Sequence, residues 1–389
     1  MRIALYTYNT KPRGGVVHTL ALAEALKEQG CSVTVFALGA NGERQFFRPV
    51  RMETKVFPFA VQQHEAFESR ILRYIDTYAE GLSQESLEVF DIHHVQDCIS
   101  ANALHRLMTQ GRIPFFVRTV HHLDDFTTPA LVDCQNRSVM LPEALITVSE
   151  AWQQRLQIDY GRPSSVIHNG VESRFFQSKQ DQQALKVKYG LQNRTVYLTI
   201  GGIEPRKNTI GTLLAFERVK ETIPDAHLLI VGGTTLFDYK YYLEHFHDLL
   251  RIMPPSIQED VQIIGSPDND TVQELYRLAD CYVQTSKKEG WGLALLEAMA
   301  SRTPIVASTI DVFQEFMRDG YNALLADSED IPAIAEKMTE AVSEKDRNRL
   351  MTINGYETAS QYTWARAAEK HIEFYEKRLV SHGRITESR

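Results

Sequence analysis

Short apolar runs recur along the chain, each ending in a glycine-rich or polar turn that leads into apolar residues at helical spacing. Arg2 to Tyr8 predicts a strand, and Asn9 to Gly15 a turn-rich loop closed by Gly14 and Gly15. Val16 to Gln29 keeps helical periodicity through Leu20, Ala23, Ala25 and Leu26, and Gly30 is suited to cap it. Cys31 to Ala37 predicts a second strand. Such a strand–loop–helix–strand order is a βαβ crossover, which begins a parallel sheet. Further strands are expected at Val56 to Phe59, Phe90 to Val95, Pro114 to Val120, Leu145 to Ser149 and Ser165 to Ile167. Helices between them are expected at Ala66 to Leu82, Ile99 to Met108 and Glu150 to Ile158, the last with Ser149 as N-cap.

Gly161 to Gln180 is polar and aperiodic, and is the expected interdomain linker. From Thr195 the layered pattern restarts. Thr195 to Ile200, Ala226 to Val231, Val261 to Ile264, Cys281 to Ser286, Pro304 to Ala307 and Tyr321 to Leu325 predict strands. Helices follow at Thr209 to Thr222, Leu236 to Met253, Thr271 to Leu278 and from Leu293 onward, with Ile331 to Val342, Asp346 to Ser360 and Trp364 to Leu379 at the end. The expected fold class is α/β, with two doubly wound, Rossmann-like parallel-sheet domains.

Composition fits that reading. A chain of 389 residues can hold two cores, and 43% hydrophobic with 24% charged residues is the balance of a soluble globular protein. The net charge of −8 argues against nucleic acid as a partner. No apolar run approaches the ~20 residues that span a bilayer. The first residues enter a strand directly, without a signal-peptide layout, so a cytoplasmic protein is expected, with peripheral membrane contact left open. Cys31, Cys98, Cys134 and Cys281 are scattered and read as small buried apolar residues rather than zinc ligands.

Candidate chemistry sits at predicted strand ends. Gly14-Gly15 is either a plain turn or a ligand-binding loop, and it is not a dinucleotide fingerprint. His121 follows a buried strand, where an imidazole can meet a sugar hydroxyl; otherwise His121 and His122 partner Asp124 and Asp125. Arg206 and Lys207 lie between a strand and a helix, as an exposed basic pair or a diphosphate clamp. Asp268 and Asp270 suit a helix-capping turn better than a metal site. Glu289 precedes a Gly-Trp-Gly turn, and Glu297 interrupts the apolar helix that follows. Gly290 and Gly292 allow close approach of backbone to ligand, and the helix start offers free N–H groups to an anion. A surface helix with Glu297 in water is the alternative.

In this order, these features resemble family four of the glycosyltransferases over nearly the whole chain. The most specific part is Glu289-Gly-Trp-Gly with Glu297-Ala-Met-Ala after it, preceded by the Pro-Arg-Lys-Asn loop. The resemblance implies a GT-B-type architecture: residues 1–172 as an acceptor-side domain and 173–362 as a nucleotide-sugar domain facing a central cleft, with a last helix near 363–380 packing back on the first. It implies transfer of a sugar from a UDP-, GDP- or ADP-linked donor to an unknown acceptor, with retention of anomeric configuration, no cofactor and no catalytic metal. Carried over by position, Glu289 and His121 are catalytic and Glu297 binds the ribose. Arg206, Lys207, Gly14, Gly15, Gly292, Leu293 and Ala294 serve the donor diphosphate, and Gly265 and Ser266 the base. The chain departs from the family where Gly201-Gly202 replaces a frequent Arg, which Arg206 would then stand in for. His122 stands where Asp is frequent, and His168 where Pro is usual. The competing readings are a GT-B-type nucleotide-sugar epimerase and a non-catalytic sugar-nucleotide-binding protein.

Overall fold

Every ladder in the two sheets is parallel, so the inner strands are covered on both faces. The computed structural model describes residues 1–62, 65–126, 128–177, 181–232 and 239–383. The chain divides into two units, Met1–Gly170 with Trp364–Arg389, and Val171–Thr363.

The first unit holds β1 (Arg2–Thr7), β2 (Ser32–Ala40), β3 (Glu53–Phe59), β4 (Ile92–Val95), β5 (Val117–Val120), β6 (Ala144–Thr147) and β7 (Ser164–Val166). Their order in the sheet is β3-β2-β1-β4-β5-β6-β7. The second holds β8 (Thr195–Ile200), β9 (Ala226–Val231), β10 (Val261–Ile264), β11 (Cys281–Gln284), β12 (Ile305–Ser308) and β13 (Leu324–Ala326), in the order β10-β9-β8-β11-β12-β13. Both orders reverse once, between β1 and β4 and between β8 and β11. Such switch points are where doubly wound sheets hold ligands, beyond the carboxyl ends of the strands.

Each sheet has its own core. Tyr6, Phe36, Tyr78, Leu104 and Phe116 are among the buried residues of the first, and Tyr197, Phe216, Leu228, Phe246 and Val283 of the second. The final helix, Trp364–Ser381, packs on Gly14–Glu28 through the rings of Trp364 and His18, and Gln29 Nε2 donates to Ala365 O at 2.7 Å.

Several expected elements shift. The strand expected from Pro114 begins at Val117, and that expected from Tyr321 begins at Leu324. The helix expected from Leu236 is described from Lys240 to Ile252; residues 236–238 lie outside the described residues. The expected linker carries β7 and a 3-10 turn at Ser173–Phe176, while its residues 178–180 lie outside the described residues. Helix Pro129–Met140 carries no expectation from the sequence. Asp268 does cap Asn269–Leu278, accepting from Thr271 N at 2.8 Å. All four cysteines are free thiols, but Cys98 is only half-buried, and its carbonyl accepts from Cys134 Sγ at 3.9 Å. That corrects the reading of Cys98 as a buried residue.

Candidate active site

In the second unit the switch point is built from the loops after β8 and β11. Gly201 (φ 147°) and Gly202 (φ 80°) leave β8 in backbone that L side chains rarely adopt. A Cβ on Gly201 would stand 2.7 Å from Lys207 Cε, so the bare backbone is the bed on which that side chain lies. Arg206 and Lys207 sit in the 3-10 turn Pro205–Lys207, ahead of helix Thr209–Thr222. The Lys287 N–H donates to Arg206 O at 2.9 Å and ties this turn to the loop after β11.

Both cations converge on Glu289. Lys207 Nζ donates to Oε1 at 2.5 Å and Arg206 Nη1 to Oε2 at 2.8 Å. Ser286 Oγ and Gln284 Nε2 also donate to Oε1, at 2.8 and 3.0 Å. Burial alone would raise the Glu289 pKa, but Lys207 and Arg206 with these hydrogen bonds hold it down at about 2. Burial lowers the Lys207 pKa against the pull of Glu289. Arg206 Nη2 also reaches Glu204 Oε2 at 3.3 Å, and Glu204 is buried. Two cations thus meet two carboxylates.

The Gly-Trp-Gly turn is anchored by its middle residue. Trp291 is buried between the rings of Phe316 and Tyr362, at 5.0 and 5.2 Å. Gly292 (φ 120°) precedes helix Leu293–Ala300, and no side chain caps that helix. The Leu295 and Leu296 N–H groups go to Gly292 O, at 3.0 and 3.1 Å. The Leu293 and Ala294 amides have no partner among the described residues, which is the condition for meeting an anion. One turn on, Glu297 accepts from Tyr276 Oη at 2.9 Å through Oε2. Burial pushes its carboxyl up to about 7, opposed by the Tyr276 hydrogen bond. Gly265 and Ser266 are exposed beyond β10, and Gly265 O accepts from Gly232 N at 2.9 Å. A Cβ on Gly232 would meet Gly202 N at 2.4 Å, so glycines let the ends of β8 and β9 close on one another. Gly233 lies outside the described residues.

In the first unit, Gly14 and Gly15 open helix Gly14–Glu28, which has neither a capping side chain nor an acid in its first turn. His121 leaves β5 beside them, its ring 3.8 Å from where a Cβ on Gly15 would stand. Its Nε2 meets Gln96 Oε1 at 3.1 Å, while His122 is the histidine that lies 3.5 Å from Asp124. Burial, then His122 and Arg118, lower the His121 pKa to about 3, so the ring is neutral. Behind it His18, His94 and His371 are all buried; His94 Nδ1 meets Tyr375 Oη at 2.7 Å and His18 Nδ1 meets Asn169 Oδ1 at 2.8 Å.

The expected residues of the second unit therefore gather at its switch point, apart from exposed Gly265 and Ser266, and those of the first gather at its own. Sequence reading missed Gln284, Ser286, Tyr276, Gln96 and the buried histidines. Among the described residues, no group of three or more His, Cys, Asp or Glu is placed to hold a metal ion. No described helix is long and apolar enough to cross a membrane.

Two parallel-sheet units of this topology make the GT-B fold. Residues 12–175 match the family described as "Glycosyltransferase Family 4", and residues 181–358 match "Glycosyl transferases group 1". An uncharacterized glycosyltransferase of Methanocaldococcus jannaschii is 23% identical over 99% of this chain and 100% of its own length. A phosphatidyl-myo-inositol mannosyltransferase of Mycobacterium leprae is 26% identical over 99% of both. The solved structure of Anabaena HepE in complex with UDP and glucose aligns with a TM-score of 0.78 at 17% identity, over 97% of this chain and 100% of that one. The chain belongs to the family-four glycosyltransferases.

Proposed function

We propose that the protein moves a sugar from a nucleotide-sugar to an acceptor hydroxyl with retention of anomeric configuration, and that UDP is the first donor nucleotide to test. The observation that carries this is the convergence of Arg206 and Lys207 on Glu289 beside the uncapped helix Leu293–Ala300. The choice of UDP rests on HepE, which binds it.

When the bond between the anomeric carbon and the diphosphate breaks, negative charge grows on the leaving phosphate and positive charge on the sugar ring. Lys207, Arg206 and the Leu293 and Ala294 amides supply donors for the first. Glu289, ionised at any physiological pH, eases the second and orients the sugar. In front-side substitution the acceptor oxygen attacks the anomeric carbon from the face the phosphate leaves, and a phosphate oxygen takes the acceptor proton. Products are the glycoside and the nucleoside diphosphate. Glu297 holds the ribose hydroxyls. On the first unit, His121 offers a neutral imidazole to sugar or acceptor, and Gly14 and Gly15 give close backbone approach. The donor charge is handled by side chains and amides, so no metal or cofactor is required.

The test is nucleotide release and product mass with UDP-, GDP- and ADP-sugars, with anomeric configuration read by NMR. Lys207→Ala should lower transfer by about 10²–10³-fold, the scale of losing one such donor, and Glu289→Ala, which removes the charge that eases the sugar ring, should lower it as well. Near-normal rates in both would end this reading. A new sugar nucleotide in a donor-only incubation would point to an epimerase. Donor binding without nucleotide release, whatever the acceptor, would point to a binding protein.

A further inference from the structure

A cavity opens in the Val171–Thr363 unit, at the end of the sheet opposite the switch point. Its volume is about 700 Å³, and its wall includes Thr195 at the start of β8, with Asp280 and Pro304 just ahead of β11 and β12. The site around Glu289 lies past the other ends of these strands, about 13–20 Å away for four to six residues. One small ligand cannot occupy both.

The cavity wall carries four cations and one acid. Lys186 Nζ is engaged by Asp280 Oδ2 at 2.5 Å and Arg194 O at 2.9 Å. Arg277, Arg302 and Arg349 also line the wall, and none has a carboxylate partner among the described residues. Arg277 Nε is buried without a hydrogen bond. Burial, and then the nearby Arg302, lower the Arg277 pKa, as expected for cations gathered without a counter-ion.

Arg302 is the least expected of the three. Helix Leu293–Ala300 ends with Arg302 N donating to Met299 O and Thr303 N to Ala298 O, both at 3.0 Å, and with Arg302 at φ 61°. Glycine or asparagine fits that left-handed position without strain. Arginine sits there with its guanidinium 3.9 Å from the centre of the Tyr356 ring, which fixes its direction. Two buried neutral groups in the same wall are unmatched: Ser301 Oγ, and Asn348 Oδ1, whose amide nitrogen already donates to Ala341 O at 2.7 Å.

We propose that this cavity is a binding site for a small phosphorylated sugar or polyol. The three guanidinium groups take the phosphate, and the neutral wall around Ser301 and Asn348 takes hydroxyls. The volume suits a molecule of that size rather than a lone anion.

The test is calorimetric titration of the full chain, saturated with UDP so that the switch-point site is filled. The probes are glucose 6-phosphate, fructose 6-phosphate, glycerol 3-phosphate, inorganic phosphate and glucose. At least one phosphorylated sugar or polyol should bind more tightly than inorganic phosphate, and glucose should not bind. Arg302→Gly, which relaxes the backbone while removing the cation, and Arg277→Ala should each weaken it at least tenfold. Arg349→Ala, at an exposed position, covers the case in which Arg277→Ala does not fold. Lys207→Ala should keep the binding. Failure of all phosphorylated probes, equal binding of glucose, binding within twofold of the parent in Arg302→Gly, or its loss in Lys207→Ala would each overturn the proposal. Sugar transfer can fail its own test without touching this one.

Discussion

The Glu289 carboxylate accepts from the side chains of Arg206, Lys207, Gln284 and Ser286, the first two being the cations expected to hold a diphosphate. Before a donor arrives, the carboxylate competes for that charge. In Glu289→Gln, therefore, UDP should bind several-fold more tightly while transfer falls about 10²–10³-fold. Calorimetry and initial rates check the two halves, and loss of both together would make Glu289 a scaffold residue. Glu297 offers a pH test. Its carboxyl is raised to about 7 by burial, and ribose hydroxyls favour the ionised form. UDP affinity should rise up to tenfold from pH 6 to pH 8. The rise is read against Glu297→Gln, because a terminal phosphate itself titrates near pH 6, roughly. Glu289, Glu297, Arg206, Lys207 and His121 stood out as candidates in the sequence because ionisable side chains are conspicuous at strand ends and in an apolar helix, while their roles came only from their order and the family resemblance. Ser286, Gln284 and Gln96 did not, because a polar residue closing a buried strand breaks no period.

At the scale of elements, the start of helix Leu293–Ala300 depends on one glycine. A Cβ on Gly292 would stand 3.1 Å from both Phe313 and Phe316, at φ 120°. Gly292→Ala should cost about 1–3 kcal/mol in backbone strain, lower the melting temperature by several degrees and weaken UDP binding. Gly14→Ala is the contrast, with nothing within 4 Å of its Cβ and a place in a helix's first turn. It should melt like the parent. Calorimetric scans distinguish them, and equal melting of the two would remove the argument for Gly292. Strand existence was legible from apolar runs and turns; the order of strands within each sheet was not. Strand starts were not: Pro114 to Phe116 is as apolar as β5 itself, yet pairing begins at Val117. Helix Pro129–Met140 escaped because Ser138 completes its buried face alongside Leu131, Cys134 and Val139. Read as polar, that residue interrupts the 3.6-residue period.

At the scale of the whole molecule, the buried histidines of the first unit set a pH dependence. Burial lowers the His371 pKa to about 4. An unfolded histidine titrates near 6.5, so between these values the unfolded chain binds more protons. The stabilising contribution is complete above about pH 6.5 and is lost as pH falls toward 4. Asp97, pushed up to about 6 by burial, acts in the opposite sense, so the effect is read by difference. In His371→Gln the stability change between pH 7 and pH 5 should shrink by about 2 kcal/mol, measured by urea unfolding at each pH. An unchanged difference would show that the ring titrates in the fold as it does in the unfolded chain.

The Val171–Thr363 segment begins and ends at the same place. Val171 N donates to Tyr362 O at 2.9 Å, and Val171 bridges Thr363. A segment whose two ends are already zipped together behaves as a cassette in the chain around it. It can be cut out without opening its sheet, transplanted into a sister scaffold or given new termini, with only a short tether to close the gap. Recombination between relatives would therefore exchange this unit as one piece and leave the other unit to diversify on its own.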